Sequence, residues 1–190
     1  MNRSLSSAVL AIAIPFALSS AQQYQISRAV DGPFAFKIMG ISFNQKSSLQ
    51  RETILLNVPS CPVQISASSL TFSYADRGFQ YKGRTTFQTQ NPVSAVEIRY
   101  IVYDVFGDHL RNLSNTEAQD FAAGDHVVEG TWNVLRENDV GEHLTTVAYV
   151  AKVRLADGKV WTFQLEPLVA ALRSLNLEQK MEVEDRPSPR

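Results

Sequence analysis

Three histidines, one cysteine and a loose group of aspartates are the residues of this sequence best suited to chemistry. His109, His126 and His143 stand singly in or beside loops, without the H-x-x-x-H spacing that sets two imidazoles on one side of an element for zinc. They read as surface or turn residues. Asp104, Asp108, Asp120 and Asp125 gather around one loop but lack the D-x-D-x-D-G spacing of a calcium loop, so they read as turn formers. Cys61 sits between two prolines in Pro59-Ser60-Cys61-Pro62. With no histidine nearby in the sequence to lower its pKa, it reads as a small semi-buried turn residue rather than a nucleophile. There is no G-x-S-x-G, no glycine-rich phosphate loop and no cysteine partnered by histidine. A dispersed carboxylate pair of the glycosidase kind stays open. Asn112-Leu113-Ser114 matches an N-glycosylation sequon. No catalytic residue, cofactor or metal ligand is assigned, and the expectation is a non-enzymatic protein.

The elements that would position these residues are strands. The longest apolar, β-branched and aromatic run is 95–106, AVEIRYIVYDVF, closed by Gly107-Asp108. Read with period two, Val96, Ile98, Tyr100 and Val102 face one way and Ile101, Tyr103 and Val105 the other, which predicts a central strand covered on both faces. Run 79–90 alternates most cleanly, with Phe79, Tyr81 and Phe87 inward and Gln80, Lys82, Arg84, Thr86, Gln88 and Gln90 toward water. Ala156-Asp157-Gly158 between runs 144–155 and 159–165 is a strong hairpin signal, because Asp-Gly readily supplies the positive φ of a tight turn. Runs 63–74 and 126–135 are further strands, whereas 109–124 is rich in Asn, Ser and Asp and reads as more loop than strand. Upstream, runs 34–43 and 52–58 predict a wide N-terminal hairpin. After Pro167, Leu168, Ala171, Leu172 and Leu175 recur at helical spacing, which predicts a short helix capping one open end of the sandwich.

The totals agree with one globular body. At 44% hydrophobic and 19% charged, the 190-residue chain is neither disordered throughout nor membrane-like. Arg3 followed by the apolar run 8–18 and by Ser19-Ser20-Ala21 reads as a signal peptide cleaved after Ala21. That run, interrupted by Pro15, is too short for a bilayer span, so no stable membrane insertion is expected after cleavage. Removing the leader takes away Arg3 and no acid, leaving 17 basic residues against 19 acidic, a net of −2. Neither nucleic acid nor an anionic membrane surface is implied. The expected organisation is leader 1–21, flexible lead-in 22–33, a single β-sandwich domain 34–178 and a disordered tail 179–190. The lone cysteine leaves the core without an internal disulfide.

From residue 63 to 165, about seven short strands ending in a tight hairpin resemble the immunoglobulin and fibronectin type III superfamily of β-sandwiches. Tyr149-Val150-Ala151 falls where that family's Tyr-x-Cys lies in the penultimate strand, with Ala151 in the cysteine's place. Trp132 falls in strand E rather than strand C. The resemblance implies an all-β, Ig-like antiparallel sandwich with an extra N-terminal β-hairpin and a short C-terminal helix, and no particular activity.

If 95–106 and 144–155 pair antiparallel as that family's C and F strands do, Val147, Tyr149, Ala151 and Val153 join Ile98 and Tyr100 in the core. Ile101, Tyr103, Val105, Ala148 and Val150 then form an outer apolar face, rimmed by Glu97, Arg99, Lys152 and Arg154. Such a patch is either covered, here by residues 34–58 as a third layer, or docks another protein. The functional expectation is an exported module, periplasmic or secreted, that works by contact with a protein partner. The alternatives are a carbohydrate or small-ligand binding module and, further off, a hydrolase.

Overall fold

The computed structural model describes residues 24–179 apart from 77 and 135. The leader with its cleavage point and the tail from residue 180 onward lie outside the described residues. What is described is an all-β, sandwich-like body with two short helices. Its larger sheet runs β1 (Gln25–Pro33), β4 (Gln50–Asn57), β10 (His143–Leu155), β7 (Val93–Asp104) and β8 (His109–Glu117), and β11 (Val160–Thr162) pairs with the far half of β10. The smaller sheet is β5 (Val63–Ala75), β6 (Gly78–Thr89) and β9 (Gly124–Asn133), and β2 (Phe36–Ile38) and β3 (Ile41–Phe43) form a separate hairpin. Helices α1 (Glu137–Glu142) and α2 (Leu165–Ser174) complete the chain.

The central strand behaves as its alternation requires. β7 lies between β10 and β8, both antiparallel to it. Val96, Ile98, Tyr100 and Val102 enter the core between the sheets, while Ile101 and Tyr103 are buried on the opposite face. β6 turns Phe79, Tyr81 and Phe87 inward and Lys82 and Arg84 to solvent. Gln80, expected in water, is instead buried and donates to Asn133 Oδ1 at 3.3 Å. Trp132 is the largest fully buried side chain, and its Nε1 donates to the Ser114 carbonyl of β8 at 3.1 Å. Its indole lies over Gly83 and Gly130, directly paired on β6 and β9; a Cβ at Gly130 would meet the ring at 2.5 Å and one at Gly83 at 2.9 Å. Only a residue without a side chain fits beneath it.

Side chains also stitch the two sheets at their margins. Asn57 of β4 brackets Ile65 of β5, donating to its carbonyl and accepting from its N–H, both at 2.9 Å. On the other side, Asn115 of β8 donates to the Glu129 carbonyl of β9 at 3.2 Å.

The hairpin at Asp157-Gly158 forms as expected, with Gly158 at φ +87° and Asp157 Oδ1 accepting from the Lys159 N–H at 3.0 Å. Four expectations are corrected. The described part of the lead-in 22–33 is strand β1, held along β4 by antiparallel pairing. Runs 34–43 and 52–58 do not pair with each other; β4 pairs with β1 and lies parallel to β10, and residues 36–43 make their own two-stranded hairpin. The supposed loop 109–124 begins with the nine-residue strand β8. Finally, α2 does not cap an end: Leu168, Ala171 and Leu172 lie against the outer face of the larger sheet as a third layer.

Candidate functional site

Of the two readings of the face around Ile101 and Tyr103, covered or docking, the structure has it covered. Ile101 and Tyr103 do project from the outer face of β7, but the observed register sets Val147 opposite Ile101 and Ala148 opposite Tyr100. β10 therefore contributes Val147, Tyr149 and Ala151 to that face, while Ala148 and Val150 point into the core between the sheets. Val105 lies beyond the end of β7, half-buried in the following turn. The cover is α2, not residues 34–58, since β4 supplies Ile54 and Leu56 from within the same sheet. Tyr103 is 0% exposed, its Oη donates to the Glu178 carbonyl at 3.1 Å, and burial raises its pKa well above the usual phenol value. The charged rim is present: a register shift after Val150 brings Lys152 beside Glu97, which forms an ion pair with Lys152 Nζ at 3.5 Å and accepts from Arg99 Nε at 2.7 Å.

Two arrangements not expected from the sequence stand at opposite ends of the sandwich. At the end holding the β5–β6 and β7–β8 turns, the β2–β3 hairpin is braced by aromatic rings. Phe36 stacks on Phe43 at 4.9 Å and on Phe72 at 5.8 Å, Phe43 meets Phe79 edge-on at 5.7 Å, and Asn44 Nδ2 donates to the Gly141 carbonyl of α1 at 2.7 Å. The Arg51 guanidinium lies 4.5 Å from the Phe36 ring centre and 5.6 Å from that of Phe72, a cation–π contact out of bulk water.

Deeper, His143 is 0% exposed, with its ring edge-on to Phe72 at 5.4 Å and to Tyr81 at 6.0 Å, and its Nε2 hydrogen-bonded to Thr146 Oγ1 at 2.8 Å. The expectation of a surface or turn histidine fails here, since His143 is the buried first residue of β10. Burial, then the nearby Arg51 charge, hold its pKa down to about 3, so the ring is neutral. Burial also raises the Asp31 and Asp139 carboxyls and lowers the Arg51 guanidinium. Arg51 Nε and Nη1, Tyr81 Oη and His143 Nδ1 are buried without a hydrogen-bond partner among the described residues. Of these groups, Arg51 lies against the Phe36 and Phe72 rings and so braces the base of the hairpin.

The hairpin tip is the opposite in character. Met39 and Gly40 are its two turn residues, both at positive φ, +51° and +83°, as a tight two-residue hairpin requires. Met39 is 73% exposed and Ile41 51%. A methionine in the left-handed region is an outlier that the rigid base below it sustains. The only hint in the sequence is Met39-Gly40 between Ile38 and Ile41, and methionine is not a residue that announces such a turn.

At the other end, the β4–β5 turn and the β6–β7 turn enclose a cleft of about 310 Å³ lined by Gln25, Pro59, Cys61, Pro62, Gln64, Gln88, Gln90 and Asn91. Cys61 is buried in its wall, and burial raises its thiol pKa to about 12. This agrees with an unreactive turn cysteine. Of the remaining residues with chemistry to offer, His109 Nε2 pairs with Asn112 Oδ1 at 3.0 Å and His126 Nε2 with the Ala122 carbonyl at 2.6 Å. Asp104 does form its turn, accepting from the N–H groups of Phe106 and Asp108 at 2.8 and 2.9 Å. Among the described residues, no group of three His, Cys, Asp or Glu side chains converges to hold a metal ion, and no helix is long and apolar enough to cross a membrane.

No protein-family model matches the chain, and no curated protein matches it. A solved structure of a hypothetical protein from Peptoclostridium difficile 630 is similar to it at 12% identity, over 60% of this chain and 92% of that one, with a TM-score of 0.44.

Proposed function

We propose that this chain is an exported, non-enzymatic module of the immunoglobulin or fibronectin type III kind that works by contact with another protein, through the β2–β3 hairpin. In favour of the architecture are the sheets β5-β6-β9 and β8-β7-β10-β11, an order in which β7 and β10 occupy the places of that superfamily's C and F strands. Export rests on the leader-like residues 1–21. The contact reading is carried by one observation: Met39 and Ile41 are open to water at the end of a hairpin whose base is clamped by Phe36, Phe43, Phe72 and Arg51. A rigid projection with an apolar tip loses little conformational freedom on binding, which is what a recognition element needs. The outer face around Tyr103 is filled by α2 and is no longer offered for that role.

The test is a double variant, Met39→Asp with Ile41→Asp, compared with wild type by co-purification from the native host and by light scattering. A partner retained by the wild-type protein and lost by the variant, with the melting temperature unchanged, is the expected result. Equal recovery from both, or a wild-type protein that stays monomeric and recovers nothing, removes the reading.

A further inference from the structure

We infer that the cleft at the end of the sandwich opposite the β2–β3 hairpin is a binding site for a neutral carbohydrate. Four of the chain's twelve glutamines, Gln25, Gln64, Gln88 and Gln90, converge there with Asn91. They come from four separate parts of the chain: the start of β1, the start of β5, the end of β6 and the β6–β7 turn. Gln64 and Gln88 are direct cross-strand partners, so their side chains stand side by side on the outer face of the smaller sheet.

The walls are held in advance. Gln64 Nε2 donates to the Val58 and Cys61 carbonyls at 2.9 and 2.8 Å, and the Cys61 N–H closes the same turn onto Val58 O at 2.9 Å. Facing it, Thr89 Oγ1 donates to the Asn91 carbonyl at 2.5 Å. With its hydrogens so engaged, Gln64 offers its Oε1 as a fixed acceptor. The side-chain amides of Gln25, Gln88, Gln90 and Asn91 make no hydrogen bond to the described residues, and each keeps both a donor and an acceptor.

The lining selects the ligand. Among the described residues no charged side chain borders the cleft to compensate a phosphate or a carboxylate, and no aromatic ring lines it to stack a planar base. A hydroxyl donates and accepts at once, as a carboxamide does, and a sugar ring presents several hydroxyls around a C–H face that Pro59 and Pro62 can meet. A volume of about 310 Å³ lies at the lower end of small-molecule sites and suits one or two sugar units rather than a long chain. Without a stacking aromatic the affinity is expected in the millimolar range, on the order of 1 mM. The site goes beyond the contact reading and shares no residue with the hairpin, so either can fail alone.

The experiment follows the side-chain amide resonances of the purified protein by NMR during titration with cellotriose, maltotriose, mannotriose and tri-N-acetylchitotriose, with trigalacturonic acid as the charged comparison. Saturable shifts of glutamine NH2 signals with at least one neutral trisaccharide are expected. A double variant, Gln88→Ala with Gln90→Ala, should weaken binding about tenfold, as expected for losing two hydrogen bonds, with its circular dichroism unchanged. Gln119→Ala, in a different part of the surface, should bind as wild type does. No saturable shift with any neutral sugar, binding that survives the double variant, or preference for trigalacturonic acid overturns the site.

Discussion

At one end of the sandwich, charged and aromatic side chains are packed together beneath a hairpin; at the other, neutral amides face water around two prolines. Both ends join the same two sheets, yet among the described residues only the first buries groups with unmet hydrogen-bonding capacity: Arg51, Ser73, Tyr81 and His143. Each such group costs on the order of 1–3 kcal/mol, so this end carries a thermodynamic burden that the amide end does not. What it obtains is a fixed projection, because the same Arg51 and Phe72 that cover the buried histidine also clamp Phe36 at the base of β2. The amide end closes its turns with backbone and glutamine hydrogen bonds and leaves its remaining amides open.

The sharpest way to break this contrast is Phe72→Ala, which removes the ring shared by Phe36, Tyr81, His143 and Arg51. A loss of about 3 kcal/mol is expected in chemical denaturation, with hydrogen exchange accelerated across β2 and β3 and unchanged in the β4–β5 turn. Equal acceleration at both ends would show that they are not separate. Acid supplies the next test. His143 has a folded pKa of about 3 against 6.5 unfolded, so the unfolded chain binds the extra proton between those values. Stability is then full above pH 6.5 and falls as the pH is lowered, by about 2 kcal/mol between pH 7 and pH 5. Asp31 and Asp139 act in the opposite sense: their raised carboxyl pKa values favour the folded state at low pH, a contribution full below the ordinary value of 3.8 and lost as the pH rises through the raised ones, which offsets part of the fall in acid. His143→Phe should flatten the profile between pH 5 and 7; an unaltered slope would assign the titration elsewhere.

The smallest effect belongs to the amide end. Cys61→Ser should cost only about 1 kcal/mol. With its thiol raised from 9.0 to about 12, native Cys61 should react with a thiol reagent at pH 8 about a thousandfold more slowly than the unfolded chain. Labelling of the folded protein within seconds would contradict a buried, protonated thiol.

Legibility in the sequence followed from how each strand is solvated. β6 has one wet face, and its alternation reads directly from Phe79 to Gln88; the Asp157-Gly158 turn and the Leu168, Ala171, Leu172 spacing were equally plain. β10 is different, because every residue from Thr145 to Ala151 is buried. With apolar groups on both faces the pattern has no phase, so hydrogen-bond register rather than hydrophobicity decides that Val147 and Tyr149, not Ala148 and Val150, lie with Tyr103. β1 and β8 were missed for the reverse reason: as outer strands they are rich in Ser, Asp, Asn and Arg, and pairing with β4 and β7 makes them strands. The burial of His143 and the gathering of glutamines arise from contacts between distant segments, to which local composition is blind.

The parallel alignment of β4 with β10 also has a kinetic consequence. Thr53 and Leu55 find their neighbours Thr146 and Ala148 only after nearly the whole chain has been made, whereas β5 pairs with β6, and β7 with β8, through short turns. During synthesis the β1–β4 ribbon therefore waits with one margin unzipped, and closing that seam is the late, loop-entropy-limited step of folding.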